Sequence, residues 1–123
     1  MDTHTALWLF EGNKKLPQNV QDIICNTENE IYINIASAWE VAIKVSLGKL
    51  DFEGGSELFI FAARANNIDL LEIKGDYVKM VERLPLIHRD PFDRMLIAAA
   101  LVEGLTIVTI DENIQKYSVN WVW

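Results

Sequence analysis

DPFDRMLIAAALVEGLTIVTID, residues 90–111, predicts a helix that leads directly into a strand. Asp93–Glu103 is apolar almost all round, which is typical of a central, well-covered helix, and Gly104 ends it. Leu105–Ile110 is rich in β-branched residues and predicts a buried strand. Asp111 follows at once, so the C-terminal end of this strand carries an acid.

The same alternation extends along the rest of the chain. Apolar spacing predicts further helices, and β-branched runs predict further strands. The helical faces are Val20, Ile23, Ile24 and Thr27; Ala38, Val41, Ala42 and Val45; Leu58, Phe61, Ala62 and Ala65; Tyr77, Met80, Val81 and Leu84; and a short last helix with Ile114 and Tyr117. The other strands are Ile31–Ile35, Ile68–Ile73 and Val119–Val122. Helices between strands favour an α/β fold with a parallel sheet covered on both faces.

Composition limits the classes of protein to consider. The chain has 123 residues, half of them hydrophobic, which suggests one domain with a substantial core. No apolar run reaches membrane-spanning length, and no secretion signal is recognisable. Cys25 is the only cysteine, which fits a reducing compartment such as the cytoplasm. The net charge of −7 argues against tight nonspecific binding of nucleic acid, although a cluster of acids without its metal would account for part of the excess.

Four acids stand where a strand-like run passes into a helix-like run: Asp2, Glu40, Asp93 and Asp111. If the strands are parallel, all four positions fall on one edge of the sheet, where open α/β folds bind their ligands. Four carboxylates at one place repel each other strongly unless a cation lies among them. The pattern therefore indicates a site for a hard cation with oxygen ligands, Mg²⁺ or Mn²⁺.

Each of these acids also fits a purely structural role at a helix N-terminus. Ser37 and Glu40 have the spacing of a capping box. Asp90, Pro91 and Asp93 fit an N-cap, a first-turn proline and an acid in the first turn. Asp2 and Asp111 fit N-caps of the helices that follow them. Capping alone, however, does not require the acids to meet at one edge of one sheet.

Other polar and aromatic residues leave alternatives open. Lys44 follows Glu40 by four residues, so it pairs with that acid or contacts a phosphate near the metal. Arg94 contacts RNA or a partner carboxylate, or is an ordinary surface arginine. His4 and His88 have no cysteine partner at zinc-ligand spacing, which argues against a zinc site. Four tryptophans in so small a chain indicate an interface.

Four segments resemble, in order, the motifs of PIN-domain proteins of the VapC toxin group. They are Asp2–Trp8, Ser37–Lys44, His88–Ala98 and Leu105–Asp111, and together they span nearly the whole chain. The resemblance implies a three-layer α/β/α sandwich with a central parallel sheet, over a PIN domain of residues 1–123. It also implies a ribonuclease dependent on Mg²⁺ or Mn²⁺ that a cognate antitoxin neutralises.

On these positions the resemblance assigns metal coordination and catalysis to Asp2, Glu40, Asp93 and Asp111. Asp90 would shape the site, and Thr109 would support Asp111. Such chemistry suits the acids, because metal ions activate water and stabilise charge during phosphodiester hydrolysis. With the surplus of tryptophan and the acidic charge, we expect a homodimer, formed through one or more of Trp8, Trp39 and Phe92, and an antitoxin that inserts a basic tail into the acidic cleft.

The chain departs from the family pattern at its start. Family members have several apolar residues before the first Asp, whereas here only Met1 precedes Asp2. We therefore expect a truncated first strand and a loosely held Asp2. Two other functions stay open: a catalytically inactive interaction module with a PIN fold, and a phosphatase with Asp2 as nucleophile, although such enzymes have a second Asp where this chain has His4.

Overall fold

A computed structural model describes residues 1–123 as a mixed α/β fold of seven helices and four short parallel strands. The helices are α1 Thr3–Phe10, α2 Gln18–Cys25, α3 Ile35–Ser46, α4 Gly55–Ala65, α5 Gly75–Arg83, α6 Pro91–Glu103 and α7 Glu112–Gln115. The strands are β1 Tyr32–Asn34, β2 Asp69–Leu71, β3 Ile107–Val108 and β4 Trp121–Val122. All four strand candidates contain a strand, but each strand is shorter than predicted.

The strands form two separate parallel pairs, so the expectation of one continuous central sheet is not met. β1 pairs with β2, and β3 pairs with β4. Met1 and Asp2 lie between the pairs: the amino group of Met1 donates to Tyr32 O at 2.8 Å, and Asp2 N donates to Val108 O at 3.2 Å. These two residues link the pairs by single hydrogen bonds, where a central strand would form a ladder on each side.

The buried hydrophobic residues form two clusters. One contains residues of α1–α4 and β1, with Val20, Ile33, Val41 and Phe59 fully or almost fully buried. The other surrounds α6, the central helix predicted from its apolar sequence, and includes residues of α5 and α7. No helix is long and apolar enough to cross a membrane.

Two local predictions are wrong. The helix that carries Glu40 begins at Ile35, not after Ser37, because the side chain of Asn34 accepts Ala36 N–H at 2.9 Å and caps it there. Ser37 and Glu40 therefore lie inside α3 and form no capping box. In α4 the buried face contains Phe59 and Ala63, whereas the predicted residues Leu58 and Phe61 are 41% and 66% exposed.

Candidate metal centre

A cleft of about 320 Å³ contains all four acids that the sequence singled out. Its lining is mostly polar and comprises Asp2, Thr3, His4, Trp8, Glu40, Lys44, Asp90, Asp93, Ile110 and Asp111. The acids come from different places in the chain: ahead of α1, within α3, in the first turn of α6 and at the N-cap of α7. The fold thus brings together carboxylates that are up to 109 residues apart in sequence.

Asp2 is buried and held on both oxygens. Oδ1 accepts Thr5 N–H at 2.8 Å, which caps α1, and Oδ2 accepts a hydrogen bond from the hydroxyl of Thr109. Thr109 is completely buried, and its Oγ1 in turn accepts Asp111 N–H at 3.0 Å. The expectation that Asp2 is loosely held is therefore wrong. Thr109 supports both Asp2 and Asp111, where the resemblance implied support for Asp111 alone.

Glu40 lies in the interior of α3 and is only 4% exposed. Its Oε2 accepts the Thr3 hydroxyl at 2.5 Å, and its Oε1 pairs with the Lys44 ammonium. Lys44 therefore takes the first of its two predicted roles, as an ion-pair partner one helical turn away. Since a buried carboxylate needs compensation, Lys44 and Thr3 stabilise the charge of Glu40 in the metal-free protein.

Asp93 has the most perturbed electrostatics of the cleft. It lies in the first turn of α6, which Asp90 caps by accepting Phe92 N–H at 2.8 Å and Asp93 N–H at 3.1 Å. Burial, reinforced by the charges of Asp90, Glu40 and Asp2 and opposed by His88, raises the pKa of Asp93 to about 7. Burial and like charge thus disfavour the ionised form of Asp93.

Asp111 is the most open of the four acids. It caps the short helix α7 by accepting Asn113 N–H at 2.7 Å on Oδ1. Its second oxygen, Oδ2, lies 3.4 Å from His88 Nε2. Capping and cleft lining are therefore not alternatives, because Asp2 and Asp111 each cap a helix with one oxygen and also line the cleft.

His88, which contacts two of the cleft acids, has a role that the sequence did not predict. Its Nε2 lies 2.9 Å from Asp93 Oδ2 as well as near Asp111, and potential ligand atoms of these three residues all lie within 4.8 Å of one another. However, Nδ1 accepts Asp90 N–H at 3.2 Å, so Nε2 carries the proton and has no lone pair for a metal. Zinc ligands have a recognisable spacing in sequence, whereas a histidine that donates to carboxylates from other elements has none.

Arg94 is neither a surface arginine nor a contact for RNA. It is 8% exposed, and its guanidinium donates to Val81 O at 2.8 Å and Pro85 O at 2.9 Å. Further bonds reach Leu84 O, His88 O and the Tyr117 hydroxyl at 3.2–3.3 Å. Arg94 therefore ties the end of α5 and the following loop to α6, and that loop carries His88.

The donor set fits a hard divalent cation. All four acids offer carboxylate oxygens, the ligands that Mg²⁺ and Mn²⁺ prefer, and the cleft has no cysteine. Burial and the neighbouring acids raise the pKa of Asp93, and a cation bound beside it would favour its charged form. Asp93 and Asp111 belong, with His88, to one group whose potential ligand atoms lie within 4.8 Å of one another. Asp2 and Glu40 are outside that group and are paired with Thr109, Thr3 and Lys44.

A family model of the PIN domain matches residues 1–120. A search of curated proteins found no match.

Proposed function

The chain belongs to the PIN-domain family, whose members are generally nucleases, and we propose that it is a metal-dependent endoribonuclease of the VapC toxin type. The observation that carries the proposal is the convergence of Asp2, Glu40, Asp93 and Asp111 on one cleft. As a toxin directed against cellular RNA, the protein would act in the cytoplasm. The proposal includes the three-layer α/β/α sandwich, with the two parallel strand pairs and the Met1–Asp2 segment between them as its middle layer.

The residues of the cleft have distinct parts in the proposed reaction. Asp93 and Asp111 would hold Mg²⁺ or Mn²⁺ together with Asp2 and Glu40. When bound, the cation supplies an activated water and charge stabilisation at the phosphate. Asp2 and Asp111 are kept in place by Thr109, and Asp90 fixes the first turn of α6 that presents Asp93.

Lys44 would change partner as the site fills. In the metal-free protein it neutralises Glu40. Once Glu40 faces a cation, the ammonium of Lys44 is no longer needed there, and its side chain is 36% exposed at the cleft. We expect it then to contact a non-bridging phosphate oxygen of RNA. Lys44→Gln should therefore weaken RNA binding more than metal binding.

The activity test uses purified protein, a fluorogenic RNA and added Mn²⁺ or Mg²⁺. Cleavage should require the metal, stop with EDTA and fall at least 100-fold in Asp93→Asn. Asp76→Asn is the matched control, because Asp76 is an exposed acid at the start of another helix and does not line the cleft. Metal-independent cleavage, or full activity of Asp93→Asn, would refute the proposal.

Two other functions are separable from this one. An inactive interaction module would bind no Mn²⁺ in a calorimetric titration and cleave no RNA. A phosphatase would form a covalent aspartyl-phosphate on Asp2, which mass spectrometry detects. Both oxygens of Asp2 are engaged in hydrogen bonds and the side chain is buried, an arrangement that disfavours a nucleophile.

The proposed partners are a second copy of the chain and a basic antitoxin. Trp39 is 60% exposed and packs edge-on against Phe92 at 5.3 Å between ring centres, which forms an aromatic surface beside the acids. Trp39→Ser should shift sedimentation from dimer to monomer at micromolar concentration, whereas Trp121→Ser, which alters another exposed tryptophan, should not. A monomeric wild type would refute the dimer.

The net charge of −7 and the acidic cleft favour a basic inhibitor. An Arg- and Lys-rich peptide should inhibit RNA cleavage at concentrations where an Asp- and Glu-rich peptide of equal length does not. Equal effects of both peptides would argue against an antitoxin tail that blocks the cleft.

A further inference from the structure

His88 has a buried nitrogen that no interaction described so far explains. Nε2 is shielded from solvent and has no well-aligned hydrogen bond, yet it lies 2.9 Å from one carboxylate oxygen and 3.4 Å from another. These oxygens belong to Asp93, in the first turn of α6, and to Asp111, which caps α7. Nε2 is therefore within reach of both acceptors and forms a well-aligned hydrogen bond with neither, so it attracts both carboxylates electrostatically.

The imidazole ring of His88 is held in this position by a hydrogen bond to its other nitrogen, Nδ1. Nδ1 accepts Asp90 N–H, so the proton is on Nε2, the nitrogen that faces the two acids. The backbone is fixed as well: His88 N–H donates to the Tyr117 hydroxyl at 2.8 Å, and His88 O accepts from Arg94 at 3.3 Å. The buried arginine and tyrosine therefore set the place of the loop, and the loop sets the place of the imidazole.

We propose that His88 is a positioning residue of the metal site, whose Nε2–H holds one oxygen of Asp93 and one oxygen of Asp111 at a fixed separation. The inference rests on the proposed function, because it assigns the two acids to the cation. The imidazole is not a ligand, since its protonated nitrogen faces the acids. It joins two carboxylates from different elements, which repel each other and have no other shared partner among the hydrogen bonds of the structure.

The proposal makes the side chain of His88 matter mainly for metal affinity, since its one structural hydrogen bond is the bond that Nδ1 accepts from Asp90 N–H. The bonds to Tyr117 and Arg94 use the backbone of His88, so substitution of the side chain leaves them intact. Without the imidazole, Asp93 and Asp111 can separate, and the metal must bring them together again. Loss of such an outer partner commonly weakens metal binding by about 10–100-fold.

Mn²⁺ titration by calorimetry, followed by electron paramagnetic resonance of the bound ion, tests this. His88→Ala should bind Mn²⁺ at least 10-fold more weakly than wild type, with an altered spectrum and a melting temperature close to that of the wild type. His88→Gln, which retains an N–H of similar reach, should recover most of the affinity. Asp76→Asn is the control, because Asp76 is exposed on α5 and lies outside the cleft, and it should bind Mn²⁺ as the wild type does.

The outcomes separate this inference from the proposed function. If wild type binds Mn²⁺ and cleaves RNA while His88→Ala does both equally well, the positioning role is wrong and the nuclease stands. If His88→Ala and His88→Gln both lose affinity together with a large fall in melting temperature, His88 is only structural and the inference is wrong. If wild type binds Mn²⁺ with the predicted dependence on His88 but cleaves no RNA, the nuclease proposal fails alone. Absence of any Mn²⁺ binding by wild type refutes both.

Discussion

At the scale of single residues, the acids of the cleft combine two duties. Asp2 and Asp111 each cap a helix with one oxygen, and Asp90 caps the helix whose first turn carries Asp93. Acids are favoured at helix N-termini because the unpaired N–H groups and the helix dipole stabilise negative charge there. The first turns of helices are thus stable positions for the acids that a hard cation requires. Only Glu40 lies away from the start of a helix.

Asp93→Asn should leave the melting temperature of the metal-free protein unchanged or raise it. The substitution removes a charge that burial and three neighbouring acids disfavour. The amide is nearly isosteric, and Asp90, not Asp93, is the N-cap of α6. Differential scanning calorimetry in EDTA measures the effect. A loss of stability of about 1 kcal/mol or more would instead identify Asp93 as a residue on which the helix start depends.

The metal-free protein should become less stable as pH rises from about 4 to 7. Asp93 has a pKa of about 7 in the folded chain against an ordinary value of 3.8, so the folded state keeps a proton that the unfolded state has lost. Stability therefore falls with pH throughout this window, by up to about 1.4 kcal/mol per pH unit for one such group. Urea unfolding in EDTA measures it, with Asp93→Asn as the control. The same slope in both proteins would assign the pH dependence to other groups.

At the scale of elements, the sequence indicated the kind of each element better than its ends. Periodicity located the helices, but it could not distinguish Asn34 from Ser37 as a cap, because both are good N-cap residues and the choice depends on where β1 stops pairing with β2. The face of α4 was mistaken for a similar reason. Leu58 and Phe61 are as apolar as Phe59, and only contact with Phe10 and Phe52 selects the face that is buried.

The start of α3 can be tested by a pair of substitutions. Asn34→Ala should cost roughly 1 kcal/mol of unfolding free energy, because Ala36 N–H loses its acceptor. Asn34→Ser should cost less, since it keeps an acceptor and removes a buried amide nitrogen that has no partner. Ser37→Ala is the control and should have no capping effect. If Ser37→Ala is the more damaging of the two alanine variants in chemical unfolding, the helix begins later than in the structure.

The two strand pairs are the least predictable feature at the scale of the whole molecule. The alternation of helices and strands predicted parallel pairing, and both pairs are parallel. It did not predict that the pairs are separate, because sheet continuity depends on what lies between β1 and β3. A groove of about 480 Å³ lies there, lined mainly by apolar residues, among them Met1, Leu105 and Ile107.

Backbone geometry shows what the groove would accommodate. Tyr32 O and Val108 O already accept N–H groups from Met1 and Asp2, so these residues occupy the line of a strand parallel to both neighbours. In extended chain, backbone groups two residues apart point to the same side. The backbone groups of Glu30 and Thr106, two residues before Tyr32 and Val108, are therefore expected to face the same groove. Burial also lowers the pKa of the Met1 amino group to about 6, so a charged amine is poorly suited to this place.

An extension of four to six apolar residues joined to the Met1 nitrogen should therefore stabilise the protein. It would replace the buried amine by an amide that makes the same bond to Tyr32 O, extend the ladders on both sides and fill the groove with side chains. Burial of one large aliphatic side chain contributes at most about 1.5–3 kcal/mol, and about 1 kcal/mol raises the melting temperature of a domain of this size by roughly 4 °C. We expect a rise of at least that size for a Val- and Ile-rich extension. A Gly- and Ser-rich extension of equal length is the control, since it removes the terminal charge without filling the groove. If neither extension raises the melting temperature, the groove accepts no strand. If both extensions raise it equally, the gain comes from removal of the charged amine alone.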